Sequence, residues 1–180
     1  MVGCDDLRGK KARIGGVRVT KEKKELLTIS SGEAEQPFKW SVGVYGSKFL
    51  QELRDNKKIL GIKCPKCGRV YIPPRRVCGR CFVEMKEWVE LSDKGTVETF
   101  TVVYFSFLDP ATGKERPVPY GYGHIKLDGA DSALEHFIEE TDIKKIRIGM
   151  RVQAVFEEER QGTPLDIKCF RTIEEGGEQG

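Results

Sequence analysis

Four cysteines stand in two C-x-x-C pairs, Cys64-Pro65-Lys66-Cys67 and Cys78-Gly79-Arg80-Cys81, with ten residues between Cys67 and Cys78. Each pair delivers two sulfurs from one bend, and two pairs supply the four soft ligands of a tetrahedral Zn²⁺. A full sulfur set leaves no open position for substrate, so Cys64, Cys67, Cys78 and Cys81 are expected to hold structural zinc. An iron of rubredoxin type would use the same sulfurs, and a redox dithiol is a further reading. Gly68 lets the first bend turn left-handed without a Cβ clash and lets backbone N–H groups approach the thiolates. In the spacer, Val70-Tyr71-Ile72 reads as a strand and Pro73-Pro74 as a turn. Metal binding adds about 10–16 kcal/mol to folding, which orders a segment too small for its own core.

The rest of the reactive inventory is thin. Cys4 lies near the N-terminus, and Cys169 sits in a strand pattern that reads as placing an inert thiol inside. The two histidines, His124 and His136, read as ordinary surface or packed residues, and Glu157, Glu158 and Glu159 as a solvated face. There is no P-loop, Rossmann glycine signature, nucleophile elbow or second metal cluster. The expectation is therefore a chain with no self-sufficient catalytic constellation.

The elements that must position the cysteines follow from patterning. Residues 1–36 are rich in Lys, Gly and Glu and read as a flexible or partner-ordered arm. Residues 37–58 form a docking segment, in which Ser47 sits as an N-cap before a short helix from Lys48 to Arg54. Phe49, Leu50 and Leu53 make one apolar stripe, and a helix this short must pack on something. Either it packs on its own ribbon, or Trp40, Tyr45, Phe49 and Leu53 are anchors for a partner. Residues 59–86 are the ribbon, 87–173 a β domain, and 174–180 a disordered tail. Strands are expected at Val97–Phe107, Tyr120–Leu127, Met150–Phe156 and Leu165–Thr172. Over Ser132–Glu140 a capping box argues helix while alternation of Leu134, His136 and Ile138 argues strand; a five-stranded barrel needs a strand there. The loop Leu108–Pro119 reads as irregular and exposed. The fold class is thus a small β-rich two-module protein: an N-terminal helix and zinc ribbon, then a five-stranded barrel; the resemblance given below makes the ribbon rubredoxin-like and the barrel a five-stranded OB-fold barrel.

Charge divides along the same lines. Residues 57–86 hold nine basic residues against Glu84 alone, a net +8, while residues 87–180 carry a net −8. Four thiolates around Zn²⁺ would still leave the ribbon near about +6. The sequence has no apolar run long enough for a membrane span and no apolar stretch after its first residues to act as a secretory signal. Paired C-x-x-C motifs outside an oxidising compartment favour metal over disulfides. The expected location is the cytoplasm.

The assembled pattern resembles a known family, the rubredoxin-like zinc-ribbon/OB-fold proteins that accompany acyl-CoA enzymes. The resemblance is carried by Phe49-x3-Leu53, ILGIKCPKCGRVYIPPRRVCGRCF (59–82), GTVETFTVVY (95–104), PYGYGHIKLDGAD (119–131) and RIGMRVQAVFEE (147–158), and it runs from about Trp40 to Arg171. It implies a non-catalytic subunit of a hetero-oligomeric acyl-CoA-processing complex. The partner would be a thiolase, a hydroxymethylglutaryl-CoA synthase, or a hydratase or aldolase acting on CoA esters. The zinc ribbon would be the scaffold, and the OB domain would lie near the CoA channel. The long arm points within the family to the small subunit of a benzoylsuccinyl-CoA thiolase. Lys63, Arg69, Arg75 and Arg76 on the ribbon, and Arg116, Tyr120 and Tyr122 on the barrel, are then candidates to contact CoA or dock the partner; solvation alone also accounts for the ribbon charges. Two other functions stand beside this one. A single-stranded nucleic-acid-binding module is disfavoured by the acidic barrel. A free-standing acyl-CoA-binding protein would bind its ligand without a partner.

Overall fold

The computed structural model describes residues 27–30, 39–106, 108 and 113–173; residues 28–30 and 39–40 are described by backbone alone. Strands β1 (Thr28–Ser30) and β2 (Lys39–Ser41) pair antiparallel and lead into helix α1 (Gly43–Asn56). The C-terminal end of the expected arm is therefore tied down. The Leu27 N–H donates to Ser47 Oγ at 3.0 Å, and Leu27 packs against the core. The rest of the arm, 1–26 and 31–36, and the tail 174–180 lie outside the described residues.

Helix α1 is longer than its pattern indicated. It starts at Gly43, with Val42 at the N-cap and no side-chain cap. Ser47 is not the cap: it is buried inside the helix, where its hydroxyl serves Leu27. The apolar stripe decides the packing. Leu53 is fully buried and Phe49 is 7% exposed, both in one core with Leu60, Ile72, Val97, Ile125, Val152 and Phe170. Burying each such side chain contributes about 1.5–3 kcal/mol, which outweighs the marginal stability of a four-turn helix. Phe49 and Leu53 thus face the chain's own core, which corrects their reading as partner anchors. At the other end, Lys57 turns left-handed, and Arg160 Nε donates to the Arg54 carbonyl at 2.6 Å, satisfying a terminal acceptor.

The ribbon sheet has the order β4-β3-β5, with β3 at Ile59–Lys63, β4 at Val70–Tyr71 and β5 at Glu87–Leu91. Its hydrogen bonding crosses position 86/87, because β5 pairs along the whole of β3. The barrel begins with β6 (Lys94–Val103) and continues through β7 (Tyr120–Leu127), β8 (Leu134–Ile138), β9 (Arg151–Phe156) and β10 (Ile167–Thr172). It closes in the order β10-β8-β7-β6-β9, with β10 parallel to β8, the OB-fold arrangement.

Strand β8 settles the ambiguous segment: Leu134, His136 and Ile138 point inward. Ser132 does not cap a helix because its hydroxyl is engaged across the module boundary. It accepts from Ile72 N–H at 2.7 Å and donates to Ile72 O at 2.8 Å. Asp131 does the same for β4, with Val70 N–H donating to its carboxylate at 2.9 Å and its own N–H donating to Val70 O at 2.8 Å. These four bonds fix the ribbon on the barrel.

Strand β6 ends at Val103 rather than Phe107, leaving Tyr104 and Phe105 exposed at the start of the long loop. In β7 the run Tyr120-Gly121-Tyr122-Gly123 puts glycines inside and tyrosines outside. A Cβ on Gly123 would lie 2.2 Å from Thr99 O, so only glycine lets β6 and β7 approach here. In β10 a bulge between Ile167 and Cys169 turns Phe170 inward and leaves Cys169 half-buried, which corrects the inside placement of that thiol. Leu165 belongs to a short 3₁₀ turn, Pro164–Asp166, rather than to the strand. Among the described residues no helix is long and apolar enough to cross a membrane.

Candidate metal centre and ligand faces

Two similar knuckles bring Cys64, Cys67, Cys78 and Cys81 together. Their four sulfurs lie within 4.8 Å of one another, and Cys67 Sγ is 3.8 Å from Cys78 Sγ. Zinc–sulfur bonds of about 2.3 Å in a tetrahedron place sulfurs about 3.8 Å apart, so the set fits the ion. In each knuckle a backbone N–H points at a sulfur: Cys67 N–H to Cys64 Sγ at 3.5 Å and Cys81 N–H to Cys78 Sγ at 3.4 Å. With Cys78 as thiolate, the buried Tyr71 hydroxyl donates to it at 3.3 Å. That contact holds the Cys78 thiol down to about 6, whereas burial and the neighbouring sulfurs push Cys81 up to about 12. A dication among sulfurs this close would offset the repulsion between thiolates. When bound, zinc would supply cross-linking of the two knuckles, and with four protein ligands it offers no site for substrate.

The candidate ribbon cations are dispersed. Lys63 sits on β3, 3.6 Å from Glu87. Arg76 and Lys86 both hold Glu84, each at 3.0 Å, and together keep its carboxyl below the usual range. The Arg75 guanidinium lies 4.5 Å from the Tyr71 ring centre, and Arg69 is exposed.

Tyr45 and Arg76 line one groove of about 590 Å³, together with Val44 and Lys48 of α1 and Glu84, Lys86 and Trp88 of the ribbon. Tyr45 stacks on Trp88 at 5.6 Å and donates its hydroxyl to Met85 O at 2.9 Å, while Lys48 lies over Trp88 at 4.6 Å. Trp88 was missed as a site residue because it sits in a strand that the sequence assigned to the other module. The Trp40 backbone belongs to β2; its side chain lies outside the description.

The barrel candidates form one cluster. Tyr122 stands opposite Phe137 in the β7–β8 ladder, their rings 5.1 Å apart, and Tyr120 is 5.7 Å from the same ring. Arg116 reaches in from the loop, its guanidinium 3.8 Å from the Phe137 ring centre and 5.8 Å from that of Tyr120. Phe137 is the member sequence reasoning missed; its signal was the outward phase of a strand whose alternate residues face in. This outer face of the second and third barrel strands, with the loop between the first two, is where OB-folds take ligands.

The two histidines stand apart in different surroundings. His136 is buried; its Nδ1 accepts from Phe137 N–H at 2.9 Å, so Nε2 carries the proton and donates to Pro164 O at 3.0 Å. Burial lowers its pKa. His124 is exposed, 3.3 Å from Glu135. Of the glutamate run, Glu157 lies 3.9 Å from Lys168, on the surface.

Comparison with known proteins agrees with this architecture. A family model described as the ChsH2 rubredoxin-like zinc ribbon domain matches residues 52–86, and one described as the ChsH2 C-terminal OB-fold domain matches 88–157. A DUF35 domain-containing scaffold protein of Methanocaldococcus jannaschii is 29% identical over 131 residues, 72% of this chain and 79% of that protein. A protein of the same description from Pyrococcus furiosus is 28% identical over 109 residues, 61% of this chain and 76% of its own. Among solved structures, a DUF35-family protein of unknown function from Sulfolobus solfataricus superposes with a TM-score of 0.52 at 25% identity, covering 72% of this chain and 84% of that one. A chain of the Ltp2-ChsH2(DUF35) aldolase gives 0.52 at 22% identity, covering 70% and 93%.

Proposed function

We propose that this chain, which belongs to the ChsH2/DUF35 family of proteins joining a rubredoxin-like zinc ribbon to an OB-fold, is a non-catalytic scaffold subunit of an acyl-CoA-processing assembly. Its partner is a larger thiolase-fold enzyme that makes or breaks a carbon–carbon bond in a CoA thioester. The zinc ribbon is the rigid platform, and the OB domain lies near the CoA channel.

One observation carries this reading: among the described residues, the paired cysteines and the buried histidine already have structural work. Four of five described cysteines converge on one metal site, and His136 is committed through both ring nitrogens to backbone. Thiolytic chemistry needs a nucleophile beside a base and a preorganised oxyanion site, and a partner would supply them. The relatives described as scaffold proteins, and the aldolase that contains a ChsH2(DUF35) chain, support the same role. Reduced thiols at the metal site suit a cytoplasmic assembly.

The Arg116–Phe137–Tyr120–Tyr122 face supports contact with CoA, whose adenine is a flat ring beside phosphates. The same face would stack a nucleic-acid base, but the acidic barrel opposes a phosphate backbone. The test is reconstitution. The larger subunit isolated with this chain is assayed for CoA-thioester cleavage or formation alone, with this chain added back, and with this chain by itself. Activity that requires both is expected. Full activity of the larger subunit alone, or turnover by this chain alone, would overturn the reading.

A further inference from the structure

The two zinc knuckles follow one hydrogen-bonding plan, repeated fourteen residues apart. Cys64 N–H donates to Arg69 O at 2.8 Å and Gly68 N–H to Cys64 O at 2.9 Å; Cys78 N–H donates to Val83 O at 3.0 Å and Phe82 N–H to Cys78 O at 3.0 Å. The plan needs a left-handed residue after each second cysteine. In the first knuckle this is Gly68, at φ 73°; in the second it is Phe82, at φ 54°. Glycine adopts this backbone freely, while a bulky side chain there is strained.

Burial does not compensate the strain. Phe82 is 81% exposed, the most exposed large apolar side chain among the described residues. A strained backbone that presents an aromatic ring to solvent, where glycine would serve the fold, marks a position kept for something other than stability. The surroundings are basic. Arg80 shares the knuckle, Lys66 occupies the corresponding turn of the first, and both are exposed. The Arg75 guanidinium lies 3.5 Å from where a Cβ on Gly79 would stand.

We propose that Phe82 is the knob by which the ribbon docks on the larger subunit, its ring entering an apolar pocket whose rim carries carboxylates facing Arg75, Arg80 and Lys66. This rests on the reading that such a subunit exists. A second copy of this chain fits poorly. Symmetric pairing would press two basic ribbons together, and docking on the acidic barrel of another copy would be head-to-tail, giving rings or filaments rather than a two-fold pair.

The test uses the full chain, tagged and expressed in its native cell, as wild type, Phe82→Ala and Phe82→Gly. The larger subunit captured by the wild type is purified and its affinity for each variant measured, with zinc content, Tm and sedimentation in parallel. Phe82→Ala removes the ring and keeps the strained backbone; Phe82→Gly removes both. Both are expected to bind about thirtyfold more weakly with full zinc, and Phe82→Gly to melt at or up to about 2–4 °C above wild type. Binding within threefold of wild type overturns the proposal. So does a lower Tm for Phe82→Gly, which makes the ring structural, or a wild-type dimer that the substitution splits. If the wild type captures no larger subunit, the scaffold reading falls and the docking knob with it; retained binding by the variants sinks the knob alone.

Discussion

The Tyr71 hydroxyl lies 3.3 Å from Cys78 Sγ, so the strand that pairs with β3 also reaches the metal centre with a donor. Tyr71→Phe removes that donor and nothing else of size. Outer-shell partners of metal ligands are worth about 10–100-fold in affinity, and the variant should lose zinc to a chromophoric chelator at a correspondingly lower chelator concentration. Equal retention by the two proteins would show that the contact does not tune the site.

Leu53 joins the helix to ribbon and barrel, fully buried. Leu53→Ala should lower unfolding free energy by about 2–5 kcal/mol in the isolated chain, read from urea denaturation. A partner-facing leucine would instead leave the isolated chain unchanged and weaken only the assembly.

His136 makes stability depend on pH with a defined sign. Burial depresses its folded pKa below the ordinary 6.5, so below that value the unfolded chain takes up a proton that the native chain refuses. Stability should fall as pH drops from about 6.5 towards the folded pKa, by at most about 1.4 kcal/mol per pH unit from this group. In His136→Gln that slope, taken from denaturation midpoints, should vanish. A slope that persists would assign it to another group.

Arg116 and Phe137 are half-buried on the outer barrel face and contribute little to the core. Arg116→Ala and Phe137→Ala should therefore leave Tm nearly unchanged. In the reconstituted assembly each should raise KM for the CoA ester about tenfold with kcat preserved, the expected loss for a cation–ring or stacking contact. An unchanged KM would remove this face from the CoA path.

The metal centre was legible because its chemistry is local. Cys64 and Cys67 share one turn, as do Cys78 and Cys81, and ligand identity follows from spacing. The other barrel strands were legible from their residue pattern; over β8 alternation and a capping box disagreed, and only the barrel's need for a strand there decided between them. What failed depended on distant partners. Ser132 looked like a helix cap, yet its hydroxyl is engaged by Ile72, sixty residues away. Ser47 looked like another, but Leu27 claims it. Helix α1 offers the same stripe to a partner or to its own core, and only the three-dimensional core decides between them. Phe82 follows its cysteines as plainly as Gly68 does; its left-handed backbone and exposure are properties of the folded knuckle. The bulge at Ile167–Cys169 shifts alternation by one residue, which no strand pattern announces.

Native mass spectrometry of the assembly, isolated gently from its own cell, tests the scaffold role most directly. The expected species is a hetero-oligomer in which this 20.4 kDa chain, carrying one zinc ion, is bound to a larger subunit that turns over CoA thioesters. A zinc-bearing 20.4 kDa monomer as the sole species would contradict it.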